Sequence, residues 1–308
     1  MSTVTVVGAG AVGVVLAAAM SDAGHDVVAC SRTSAPLAVE RDGVVRAPAV
    51  RVRTDPATVT GSDWVLLCTK AQDTTSAAPW LSRACHQGTT LLVCQNGIDH
   101  VERVGGLAGP ADVLPALVYV AAERTGPNRA RHRRGAHLVV PACPAGERAA
   151  ALAPEGIDVR LELDFRTAAW RKLLTNVAAN AVTALTGRRM EVLREPQVRQ
   201  LASTLLTETV EVGRAEGAAL GHDDVRATLD FYDRFAPEDG TSMLYDRLAG
   251  RPTEHALFNG TVCALGLRHG VPTPVNDAVH ALLQATENAR PTHPQPQVRP
   301  AATTARTA

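Results

Sequence analysis

The sequence runs to 308 residues, long for one domain and enough for two that each bury a core. Apolar side chains make up 45% and charged ones 20%, the balance of an ordinary globular chain. Its 31 basic residues offset 31 acidic ones, which excludes a global attraction to nucleic acid or to an anionic membrane; any anion must be recognised locally.

The first apolar run, Val4-Thr5-Val6-Val7, enters the turn Gly8-Ala9-Gly10-Ala11-Val12-Gly13 and leaves through the helical stretch 14–20. Gly8 permits a tight turn, Gly10 lets backbone approach a pyrophosphate, and Gly13 lets helix pack on strand. The free N–H groups of the helix N-terminus then favour a phosphate. A second strand, 26–30, completes the context that this fingerprint requires. Where a carboxylate would hold a free ribose 2′-hydroxyl, the chain has Cys30-Ser31-Arg32, and Arg32 suits a 2′-phosphate. The expected cofactor is therefore NADPH/NADP+.

Further on, strands at 63–68 and 89–94 flank a helix at 72–84, the alternation of a parallel sheet covered by helices. Strands around 113–120, 137–140 and 157–163 read as an antiparallel extension of that sheet. The basic run Arg129, Arg131, His132, Arg133 and Arg134 reads as a solvated loop between two of them. From residue 167 helices are expected at 168–186, 196–216, 222–235, 253–269 and 273–288, divided at glycines. The fold class is α/β: an N-terminal Rossmann dinucleotide-binding domain (1–165) followed by an all-helical domain (166–290). The stretch 291–308, with four prolines and few apolar anchors, reads as a disordered tail.

The six cysteines show no metal-ligand or C-x-x-C spacing and are expected to be reduced. No apolar run reaches the roughly 20 residues of a membrane span, and the first strand leaves no room for a signal peptide, so a cytoplasmic enzyme is expected.

Lys172, Asn176 and Asn180 repeat every fourth residue, which keeps them near one face of a helix with a drift of about 40° per step. Asn is a poor helix former, so two in one apolar helix call for compensating partners. Either the stripe lines a cleft, with the lysine as acid and the amides binding substrate, or the amides cap a neighbouring loop while the lysine reaches for water. Thr69-Lys70-Ala71 and Gln95-Asn96-Gly97 follow parallel strands, at the ends where open α/β sheets bind ligands. Lys70 is placed to touch a phosphate or substrate, and Asn96 the nicotinamide ribose or substrate. Thr253-Glu254 has the form of a helix start.

Taken in order, Gly8 to Gly13, Thr69-Lys70-Ala71, Gln95-Asn96-Gly97, Lys172 with Asn176 and Asn180, Ser242-Met243 with Asp246, and Thr253-Glu254 with Asn259-Gly260 resemble the ketopantoate reductases. The resemblance covers residues 3–287. It implies NADPH-dependent reduction of 2-dehydropantoate to (R)-pantoate, a step of pantothenate (coenzyme A) biosynthesis. By the same resemblance Lys172 is the catalytic proton donor, and Glu254 holds the substrate and that lysine in position. Ser242 lies near the substrate carboxylate, Asn96, Asn176 and Asn180 are substrate-binding amides, and Arg32 is the 2′-phosphate ligand. Two alternatives stay open: a paralogous reductase of another 2-oxo acid, and a non-catalytic NADP(H)-binding sensor, which would have no need of Lys172 and Glu254. Domain closure about 164–167 is expected to assemble the site, and helices of the second domain could supply a homodimer face.

Overall fold

The computed structural model describes residues 1–288; the stretch 291–308 lies outside the described residues. The N-terminal half opens with β1 (Thr3–Val7), α1 (Ala11–Asp22), β2 (Asp26–Cys30), β3 (Ala38–Arg41), β4 (Val44–Arg46) and β5 (Arg51–Arg53). It continues through β6 (Trp64–Leu67), α2 (Ala78–Ala84), β7 (Thr90–Val93), α3 (His100–Val104) and β8 (Asp112–Pro115). Strands β5-β2-β1-β6-β7-β8 form a wholly parallel sheet. Every residue of β6 and β7 is buried, as expected of central strands covered on both faces. The register sets Val7 opposite Cys30 and Leu67, and Leu67 opposite Val93, so the strands end level and their following loops share one edge.

The region expected to extend this sheet antiparallel does otherwise. Residues 112–115 form its sixth parallel strand, fixed by the Asp112 N–H donating to the Thr89 carbonyl at 2.9 Å. The chain then crosses into a second sheet with β9 (Leu117–Gly126), β10 (Arg129–Pro141) and, after α4 (Pro144–Leu152), β11 (Asp158–Glu162). There β10 pairs antiparallel with β9 but parallel with both β11 and β3. Apolar alternation announces a strand without naming its partner. Helix α1 fills the space between the sheets: Val14, Leu16 and Met20 share a core with Val4 and Val6 on one side and Leu138 and Val140 on the other. The basic run is strand, not loop: residues 129–134 belong to β10, with Arg131 paired to Glu40 at 2.8 Å and Arg133 to Glu123.

The C-terminal half is helical: α5 (Phe165–Val177), α6 (Ala179–Thr186), α7 (Pro196–Ala215), α8 (His222–Asp233), α9 (Ser242–Leu248), α10 (Thr261–His269) and α11 (Pro274–Asn288). Asp164 caps α5 by accepting from Thr167 N at 3.1 Å. Trp170, Leu174, Val177, Leu205, Leu206, Tyr232 and Phe258 anchor a single core. Two expected helices are interrupted. The stretch 168–186 breaks at Ala178 because outside donors take its carbonyls: the Tyr232 hydroxyl donates to Leu174 and Thr175 (3.0 and 3.2 Å), and Asn259 Nδ2 to Val177 (3.2 Å). The stretch 253–269 starts non-helical and passes through a π-helical turn, Ala256–Gly260, before α10, so that Glu254 leaves the helix axis.

Candidate active site

The glycine turn has the geometry its sequence demands. Gly8 has φ +103°, and a Cβ there would meet Thr69 N at 2.7 Å; one on Gly13 would lie 2.0 Å from the Gly8 carbonyl oxygen. Gly10 differs, because a Cβ on it would enter open space with nothing within 4 Å. That is backbone left bare on its approach side. The first turn of α1 carries no acidic residue and no side-chain cap, so its N–H groups stay available. These features fit a dinucleotide pyrophosphate. Arg32, in the loop after β2, is exposed and has no ion pair among the described residues. Its loop is pinned by Asn128, which donates to Thr33 and Ala35 carbonyls at 3.0 and 2.6 Å.

The loops after β6 and β7 are locked together by Gln95. Its buried amide donates to Thr69 Oγ1 and Thr74 Oγ1, each at 2.9 Å, while Arg103 donates to Gln95 Oε1 and the Asn96 carbonyl, each at 3.0 Å. Lys70 and Asn96 thus leave the sheet edge on a braced platform. Both meet Glu254 of the helical half: Lys70 Nζ lies 2.8 Å and Asn96 Nδ2 3.1 Å from Glu254 Oε2. Lys70 also pairs with Asp246 at 3.0 Å, and Arg251 holds the other Asp246 oxygen at 2.8 Å. Burial works against the Lys70 ammonium, yet the two carboxylates outweigh it and raise its pKa.

On the facing side, Asn180 Oδ1 accepts from Ser242 Oγ (3.2 Å) and Met243 N (3.1 Å), and its amide donates to Asn176 Oδ1 at 3.1 Å. The asparagines therefore find partners at the N-terminus of α9, which Thr241 caps. Lys172 is not bonded to Glu254. Its ammonium donates to the Val118 carbonyl and sits 4.2 Å over the Tyr119 ring. Burial pulls its pKa down to about 8, opposed by the attraction of the Glu254 carboxylate. Nearby His100 is pushed down to about 4, chiefly by burial and then by Arg103, and is neutral.

Residues 4–145 match the family described as ketopantoate reductase PanE/ApbA, and residues 164–287 match its C-terminal counterpart. The chain belongs to the ketopantoate reductase family. It is an oxidoreductase. A protein of Mycobacterium tuberculosis named 2-dehydropantoate 2-reductase is 40% identical over 293 residues, covering 92% of this chain and 98% of its own. One of that name from Caulobacter vibrioides is 38% identical, covering 92% and 99%. The crystal structure of a PanE/ApbA family ketopantoate reductase from Ralstonia eutropha superposes with TM-score 0.86 at 31% identity, covering 93% of this chain and 99% of that one.

Within this ketopantoate reductase fold, the site gathers Lys70, Asn96 and Glu254 in one hydrogen-bonded group and Asn176, Asn180 and Ser242 in a second, with the ammonium of Lys172, from α5, set against β9 of the second sheet. Gln95, Arg103, Tyr119, Asp246 and Arg251 had been given no role by sequence reasoning. One signal was in plain sight: Lys70 and Lys172 are the only lysines in the sequence, every other one of its 31 Lys and Arg residues being arginine. Where arginine serves the surface, a retained lysine marks a group that must be compact or able to release a proton. All six cysteines are free, and no helix among the described residues is long and apolar enough to cross a membrane.

Proposed function

We propose that this ketopantoate reductase reduces 2-dehydropantoate with NADPH, and that Lys172 supplies the proton. The observation that carries the reading is the half-buried Lys172, its ammonium set against the Val118 carbonyl and the Tyr119 ring, within the field of Glu254 and drawn down by burial to a pKa of about 8. The Gly8–Gly13 turn and the α1 N-terminus would hold the pyrophosphate, and Arg32 the 2′-phosphate. The bound dinucleotide would supply a hydride to the substrate C2 carbon. Residues 1–165 form the nucleotide half in this reading and residues 166–288 the half that brings substrate and proton.

The charges argue for the substrate class. Lys70, Arg251 and Lys172 face Glu254 and Asp246, leaving one cation in excess, which a single carboxylate would balance. Ser242, on releasing Asn180, would donate its hydroxyl to that carboxylate, and Asn96, Asn176 and Asn180 would offer amides to hydroxyl and keto oxygens. As negative charge grows on the C2 oxygen, Lys172 must leave the Val118 carbonyl, stabilise the oxygen and give up a proton. A pKa near 8 keeps most of the lysine protonated at neutral pH while making it a better acid than an ordinary lysine. Glu254, held by Lys70 and Asn96, fixes the negative pole that keeps Lys172 charged.

The test is oxidation of NADPH followed at 340 nm with 2-dehydropantoate, pyruvate, 2-oxoisovalerate and bulkier 2-oxo acids. Selective turnover of 2-dehydropantoate supports the assignment. Selective turnover of another acid keeps the chemistry and replaces the substrate, and NADPH binding with no turnover of any overturns the proposal.

A further inference from the structure

Strand β10 contains more residues than its partner strand requires. His132 lies opposite Ala122, Arg134 opposite Ala121 and His137 opposite Tyr119, so Arg133 and one residue of the pair Gly135-Ala136 are inserted as bulges. The distortion is built in: Gly135 has φ +73°, a Cβ on it would lie 2.4 Å from the Tyr119 carbonyl oxygen, and the His132 ring meets the Gly135 carbonyl at 2.6 Å. Because each inserted residue reverses which face of the sheet the following side chains occupy, the bulges decide what stands beside Tyr119. They bring the His137 ring parallel to the Tyr119 ring, with centroids 4.5 Å apart and planes within 9°. The Lys172 ammonium also lies over the Tyr119 ring, 4.2 Å from its centroid.

We propose that Tyr119 is a positioning residue for the proton donor: its ring, backed by His137 and set by the Gly135 bulge, holds Lys172 as a cation inside the cleft. The inference rests on the reading of Lys172 as donor. The face of an aromatic ring is negative and attracts an ammonium, most strongly where water is excluded. The other groups around Lys172 fill this task only in part. Val118 offers a neutral carbonyl, Glu254 acts without a direct bond and is shared with Lys70 and Asn96, and His100 is neutral. His137 is also biased towards neutrality by burial, by Arg160 and by Lys172 itself, against Asp158, so it backs the ring without adding a competing charge. On the lysine's own helix, Arg171 is turned to Asp224 at 2.8 Å. Among the described residues no hydrogen bond engages the Tyr119 hydroxyl, so the role falls to the ring.

With two lysines in the chain, isotope-labelled lysine gives two side-chain NMR signals, and loss of one in Lys172→Arg assigns it. The full-length protein is titrated as wild type, as Tyr119→Phe, as Tyr119→Leu, and with trifluorophenylalanine at position 119, which keeps ring shape while removing its negative face. Tyr119→Phe should titrate like wild type. The leucine and fluorinated variants should release the Lys172 proton on the order of one pH unit lower, a tenfold change in equilibrium, because the charged form has lost its partner. Unchanged titration in the fluorinated protein overturns the proposal, even if the leucine variant misfolds or shifts. The alkaline limb of kcat should follow the NMR titration in each variant; a shifted signal with an unmoved limb refutes the donor assignment and leaves the hold of Tyr119 on Lys172 standing.

Discussion

Replacing Lys172 by methionine should make the protein more stable while nearly abolishing turnover. In the unfolded chain the lysine keeps its proton up to its ordinary value of 10.5, whereas burial in the folded protein brings that down to about 8. At 1.36 kcal/mol per pH unit, holding the ammonium inside costs about 3 kcal/mol at neutral pH, as an upper bound because the residue is only half-buried. Methionine fills a similar volume without charge, so a gain of about 1–3 kcal/mol is expected at pH 7. The pH dependence carries the sign. Between about 8 and 10.5 the unfolded wild type binds more protons than the folded one, so wild-type stability from this group rises with pH and the advantage of Lys172→Met shrinks. Scanning calorimetry from pH 7 to 9.5 reads it as a rise in Tm of several degrees at pH 7 that narrows above pH 8. The same variant should lose about 10²–10⁴ in kcat. A difference in Tm that is absent at pH 7, or constant with pH, would refute the account of Lys172 as a buried cation.

Four further outcomes are expected. Arg32→Ala should weaken NADPH binding about 10- to 100-fold by fluorescence titration and leave NADH nearly unchanged, since a charge-assisted pair to the 2′-phosphate is lost. Gly10→Ala should fold with wild-type Tm but lose dinucleotide affinity, whereas Gly13→Ala should lose stability, because only the second Cβ strikes backbone. In Glu254→Gln the carboxylate that holds Lys172 protonated is gone, so the alkaline limb of kcat should move to lower pH. Arg134 of β10 reaches Asp239 of the helical half at 3.1 Å and lies 4.6 Å over the Phe235 ring; Arg134→Ala should raise KM for the oxo acid a few-fold, the loss of about 1 kcal/mol, with little change in kcat.

The glycine turn, the parallel strands and most helices were legible because each is encoded locally, by spacing and punctuation within a few residues. What escaped was set by distant partners. The helix break at Ala178 depends on Tyr232 and Asn259, neither recoverable from an apolar pattern that continues straight through it. The bridge from Lys70 to Glu254 spans 184 positions, and the parallel pairing of β8 and the transfer of β9 to β11 into a second sheet depend on which neighbours they meet. Lys172 stands out in the sequence as a polar group on an apolar helix, but its neighbours, Val118 and Tyr119, sit on a strand whose bulges no periodicity announces.

The placement of both lysines has a practical side. Amine-directed reagents such as active esters, dialdehyde cross-linkers or acyl donors find, besides the α-amino group, only Lys70 and Lys172. Lys172 is inside the fold and Lys70 is clasped by two carboxylates, so labelling should be slow and should coincide with inactivation. Surface immobilisation through amines would be confined to the exposed α-amino group, and a bound ligand that shields the cleft would leave acylation to that group alone.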